Sequence, residues 1–137
     1  MVKSTTELQD QIRACVDPAQ LRTAEFGGGD LPGLLRQLIA CAGFSPKKAI
    51  FCCNFDRSYG YQLLNGTRTP TRAQLITLAL VLSVEEETAQ RLLKLAGRPV
   101  LYARNRADAA VLYGLSHGLS LQQTDELLKS LGEEGLL

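Results

Sequence analysis

Residues 44–70 read FSPKKAIFCCNFDRSYGYQLLNGTRTP. Ser45 followed by Pro46 has the chemistry of a helix start: a serine hydroxyl accepts an N–H that the first turn leaves unbonded, and proline presets φ there. That helix must be short, because Asn54 interrupts it. Asp56 caps a second helix, and Asn65-Gly66 ends it, since both residue types tolerate the left-handed backbone that lets a chain turn away. Two short helices and a basic exit, Thr67-Arg68-Thr69-Pro70, form the unit from which the rest of the chain is read.

Outward from this unit the pattern stays helical. Asp30 followed by Leu31-Pro32 opens a helix carrying Leu34, Leu35, Leu38 and Ile39, and Gly43 closes it. On the other side Thr71 caps a helix with Leu75, Ile76, Leu78, Ala79 and Leu82 at core spacing, the most apolar of the set and the expected central strut. Ser83-x-x-Glu86 reads as a capping box for a helix presenting Ala89, Leu92, Leu93 and Leu95 before Gly97-Arg98-Pro99 stops it. Asn105 with Asp108 opens another that runs to His117-Gly118. Ser120-x-x-Gln123 opens the last, with Leu127, Leu128 and Leu131, ended by Gly132. The stretch RAQLITLALVLSVEEETAQRLLKLAG from Arg72 can be laid on RADAAVLYGLSHGLSLQQTDELLKSLG from Arg106, sharing the Arg-Ala start, a Leu-Ser joint and Leu-Leu-Lys near the end. Repeated two-helix units stack so that each covers the other's apolar face. With no alternating strand pattern anywhere, the expected class is all-α.

The 137 residues are 45% hydrophobic and 21% charged, values that favour one globular domain with appendages over a disordered chain. Residues 1–29 read as an N-terminal helical arm, with Thr5 or Thr6 as cap, Leu8, Ile12 and Cys15 on one face, and Gly27-Gly28-Gly29 as a break. The start is polar and no run approaches the roughly 18 apolar residues of a membrane span, which leads us to expect a cytoplasmic protein without membrane contact. Cys15, Cys41, Cys52 and Cys53 have neither Cys-x-x-Cys spacing nor histidine neighbours, so no metal is expected and packed, unbridged thiols are the simplest reading.

The net charge of +1 conceals an uneven distribution. Residues 31–72 carry six basic groups and one acidic group, while the segments before and after are each net negative. A cationic third in an otherwise acidic chain suits a polyanion, because each lysine or arginine beside a phosphate releases condensed counterions.

The layout of residues 44–70 resembles the helix-turn-helix of the phage-repressor-like (XRE, or Cro/C1-type) family, and the likeness extends over about residues 31–97. The Asn-Gly-Thr-Arg-Thr-Pro exit carries most of it. Leu64 stands where the family often has glutamate, Pro46 where it often has glutamine, and Asn54 where it has a turn glycine. A fourth departure is paired. The family usually sets a small residue on the first helix against a bulky aliphatic on the second, whereas here Ile50 is the bulky one and Gly60 the small one. The summed volume is kept, as close packing requires, and this explains a helical glycine that would otherwise cost about 1 kcal/mol.

The resemblance implies a five-helix repressor-like DNA-binding domain at 30–98, and the repeat adds a C-terminal helical pair at 99–137 expected to serve packing or dimerisation. The resemblance also implies double-stranded DNA as partner and a homodimer on near-palindromic sites. The second helix of the motif, about 57–65, would lie in the major groove with Arg57, Ser58, Tyr59, Tyr61 and Gln62 toward base edges. Lys47, Lys48, Asn65, Thr67, Arg68 and Arg72 would hold phosphates. The expected role is transcription regulation, without cofactor and without enzymatic activity: the lone His117 makes no triad, and the glycine run lacks the lysine of a phosphate loop. The rival expectation is a protein-interaction module in which Leu64 and the tyrosine-rich helix meet another protein. Val100, Leu101, Tyr102, Val111, Leu112, Leu115, Leu136 and Leu137 add apolar surface that suits a core or an interface.

Overall fold

A computed structural model describes residues 30–137, and every regular element among them is an α-helix. The N-terminal arm expected at 1–29 lies outside the described residues. We number the helices α1 (Leu31–Cys41), α2 (Pro46–Cys52), α3 (Arg57–Leu64), α4 (Arg72–Val81), α5 (Glu86–Leu95), α6 (Arg106–Ser116) and α7 (Leu121–Ser130). The chain divides into two compact units between Thr69 and Pro70. This division falls in the basic exit, inside the span 30–98 that the sequence suggests as one domain.

In the first unit, local hydrogen bonds place the helices. The Asp30 carboxylate accepts the Gly33 N–H at 3.1 Å, the Ser45 hydroxyl that of Lys48 at 3.1 Å, and the Asp56 carboxylate that of Tyr59 at 3.1 Å. Each satisfies a donor that a helix start leaves without an intrahelical partner. α1 buries Leu31, Leu34, Leu35, Leu38 and Ile39 against α2 and α3, which contribute Ala49, Ile50, Leu63 and Leu64. The turn between α2 and α3 is made by Asn54 at φ +62°, and the Phe55 N–H reaches back to the Ile50 carbonyl at 3.2 Å. Asparagine thus takes the left-handed position expected of it, where a side chain without its local hydrogen-bonding capacity would be strained.

In the second unit α4 is the strut. Leu75 through Leu80 are all buried, and the helix touches α5, α6 and α7. The capping residues again decide the starts, with reciprocal boxes at Thr71/Gln74 and Ser120/Gln123 and an Asn105 side chain accepting the Asp108 N–H. The expected box at Ser83 and Glu86 does not form. Ser83 has φ +53° and ends α4, while Glu85 takes the capping position of α5 without a side-chain bond. Ser83 stands as far before Gly97 as Gly118 stands before Gly132, so Ser83 is the counterpart of Gly118 and Glu85 that of Ser120. The Leu-Ser joint that aligns the two copies is therefore not structurally equivalent.

Long-range polar ties close this unit. The Arg72 guanidinium donates to the carbonyls of Pro99 (2.8 Å) and Val100 (3.1 Å) and pairs with Asp108 at 2.8 Å, and Asp108 also accepts the Tyr102 N–H. The Gln90 amide brackets Leu101, donating to its carbonyl and accepting its N–H. At the C-terminal end Asp125 accepts the N–H groups of Leu136 (2.7 Å) and Leu137 (3.0 Å) and pairs with Lys129. Of the apolar residues singled out in this region, Leu101 and Val111 are core. Leu112, Leu115 and Leu136 are half-buried, and Val100, Tyr102 and Leu137 are exposed. No helix among the described residues is long and apolar enough to cross a membrane.

Candidate nucleic-acid interface

Burial sorts the face of α3. Gly60, Leu63 and Leu64 turn inward, Arg57, Ser58 and Tyr61 are exposed, and Tyr59 and Gln62 are half-buried at the margin. The inward set fixes the outward one, since helical periodicity leaves no other way to bury three apolar positions of an eight-residue helix. Gly60 is what lets α3 sit against α2. A β-carbon built there would lie 2.5 Å from Ile50 Cγ2, closer than any real contact allows. Lys47 and Lys48 are exposed in the first turn of α2.

The exit from α3 differs from the other described helix ends. At the ends of α1, α2, α4, α5, α6 and α7 the residue after the turn donates its N–H five positions back to the helix, as Phe44 does to Ile39. After α3 the Thr67 N–H goes instead to the Asn65 side-chain oxygen at 3.1 Å, and the Thr67 hydroxyl donates to that oxygen at 2.6 Å. The Arg68 N–H is the one that returns, to the Gln62 carbonyl at 3.2 Å. Its side chain follows: Arg68 Nε donates to Gln62 Oε1 at 2.7 Å, and the guanidinium carbon lies 5.6 Å from the centre of the Tyr59 ring.

Of the eleven residues expected at a DNA surface, ten share the first unit. Arg72 belongs to the second, and its guanidinium is spent on Asp108 and two carbonyls. Its charge is therefore paired inside the second unit. Thr67 has both its hydroxyl proton and its N–H engaged by the Asn65 side-chain oxygen, which leaves it no donor for a phosphate. Leu64, expected to serve a protein contact, is 4% exposed and part of the core. Phe51 was missed. It is 80% exposed at the end of α2, and its place directly after the buried Ala49-Ile50 pair is the signal that could have found it.

The remaining chemistry is quiet. No disulfide joins Cys41, Cys52 and Cys53, and burial, helped by the neighbouring Cys52, pushes the Cys53 thiol up to about 12. His117 stacks on Tyr113 with ring centres 3.9 Å apart, and its Nδ1 lies 2.9 Å from the Ser116 hydroxyl. Among the described residues no group of three or more histidine, cysteine or acidic side chains could hold a metal ion. A cleft of about 250 Å³ in the second unit is lined mainly by apolar groups, including Ile76, Val111, Leu128 and Leu136, together with the self-neutralising Arg72–Asp108 pair. No family model, curated protein or solved structure matches the chain.

Proposed function

We propose that this protein is a sequence-specific double-stranded DNA-binding transcription regulator, a helix-turn-helix of the phage-repressor-like kind that works in the cytoplasm as a dimer. α3 enters the major groove. The observation that carries the reading is the outward row Arg57, Ser58 and Tyr61 on a helix flanked in the same unit by the exposed cations Lys47, Lys48 and Arg68. Arg57 in the first turn has the reach and fork to pair with a guanine edge, while the lysines, as point charges, suit phosphates and set position.

Retention of short duplexes over a salt series tests this reading. Binding should weaken steeply as salt rises. Replacing both Lys47 and Lys48 by alanine should reduce the slope of log affinity against log salt by about two, at roughly 0.9 per lost phosphate contact. Arg57→Ala should weaken binding without changing that slope as much.

Phe51, 80% exposed, favours a second reading in which the same unit docks on another protein. An apolar contact of that kind is nearly indifferent to ionic strength. Salt-independent behaviour in the same experiment, with no effect of the lysine and arginine changes, supports it over DNA binding.

A further inference from the structure

Among the described residues of the first unit, Arg68 is the cation whose side chain is tied to Gln62, at the margin of the outward face of α3. Three contacts fix it: its N–H on the Gln62 carbonyl, its Nε on Gln62 Oε1 at 2.7 Å, and its guanidinium over the Tyr59 ring at 5.6 Å. The anchoring follows from the unusual exit, because Asn65 captures the Thr67 N–H and shifts the returning bond by one residue to Arg68. A charge-assisted bond at this distance, backed by a cation–π contact, restricts the amide of Gln62 to one orientation.

That orientation has a consequence for base reading. A glutamine amide offers an oxygen acceptor and an NH₂ donor, and adenine, which presents a donor beside an acceptor in the major groove, is matched by using both. Here the oxygen already faces a guanidinium. With that oxygen engaged, the group Gln62 has left for a base edge is its NH₂, a donor. An adenine amino group brought to this pair would meet positive charge, whereas guanine presents two acceptors, O6 and N7.

Resting on the DNA-binding reading above, we propose that Arg68 is a specificity-determining positioning residue which, by holding the Gln62 side-chain oxygen, turns Gln62 from an adenine reader into part of a guanine reader. Arg68 acts on the base pair through Gln62, and a phosphate contact is secondary.

The test is selection from short duplexes with a randomised centre, followed by direct competition of duplexes differing only at the base pair whose preference Gln62→Ala abolishes. The wild-type chain should prefer guanine there. Arg68→Met, which keeps the side-chain length and removes every donor, should shift the guanine-to-adenine ratio at that position by roughly tenfold toward adenine. In a Gln62→Ala background Arg68→Met should leave the base ratio unchanged. If Arg68→Met instead weakens binding to all duplexes alike and leaves guanine preferred, Arg68 is a phosphate ligand and the inference is overturned while the DNA reading stands. If the wild-type chain enriches no sequence, the DNA reading fails and takes this inference with it.

Discussion

Gly60 on α3 faces Ile50 on α2 with no room for a side chain between them: a β-carbon on Gly60 would lie 2.5, 2.7 and 2.9 Å from the Cγ2, Cγ1 and Cδ1 atoms of Ile50. Ile50 is 5% exposed and cannot swing into solvent without unpacking. Gly60→Ala gains about 1 kcal/mol in helix propensity and loses more to overpacking, so a net destabilisation of about 1–2 kcal/mol is expected in urea melts. Ile50→Ala alone should cost about 2–4 kcal/mol through the cavity it leaves. The double variant should cost less than the sum by about 1 kcal/mol, because the added methyl enters the vacated space. Strict additivity would contradict the crossing.

Ser83 ends α4 at φ +53°, the position that Gly118 occupies at the end of α6. A left-handed residue with a β-carbon costs about 1–2 kcal/mol. Ser83→Gly should therefore raise stability by up to about 1 kcal/mol once the larger backbone entropy of glycine in the unfolded chain is set against it. Had Ser83 capped α5, the same change would destabilise by a few tenths at least. The sign of the change in the thermal midpoint separates the two.

Asp125 holds the final residues through two N–H groups and Lys129. Its carboxyl lies below the ordinary 3.8, first because of the Leu137 N–H and then because of Lys129, with burial opposing both. A folded-state value below the unfolded one means that the carboxylate stabilises the fold fully above pH 3.8, and that this contribution is lost as pH falls through the folded value. Asp125→Asn should be less stable than the wild type at neutral pH, and the gap should narrow below pH 3.8. A gap independent of pH would show that the charge is immaterial.

The Cys53 thiol, 3% exposed and pushed up to about 12, stays protonated at neutral pH. The thiolate is the reactive form. Alkylation of the folded protein followed by peptide mapping should mark the half-buried Cys52 well before Cys53, and Cys53 should react only under denaturing conditions. Equal labelling of the two in the native state would contradict the packing of α2.

Much of the architecture was legible because it is written in short-range chemistry. Asp30, Ser45, Asp56, Thr71, Asn105 and Ser120 each bond a backbone N–H three residues on, a relation visible in any linear reading. Ser83 shows the limit of such reading. A serine three residues before a glutamate makes a box only if its own backbone is extended, and here the end of the preceding helix claims it for a left-handed turn. Arg72 shows a second limit, since its pairing with Asp108 is invisible locally. Its partners Pro99, Val100 and Asp108 are distant in sequence, and nothing local marks a basic residue as already neutralised. The Gln62–Arg68 bond depends on a one-residue shift in the exit from α3, which composition does not reveal.

The central claim is that the outward face of α3 reads a DNA sequence, and enrichment from a random duplex pool at moderate salt measures it most directly. The account predicts that the full chain enriches a short motif and that Arg57→Ala erases or relaxes part of it. A pool that stays at its input composition after repeated rounds, with the chain folded throughout, would contradict the account.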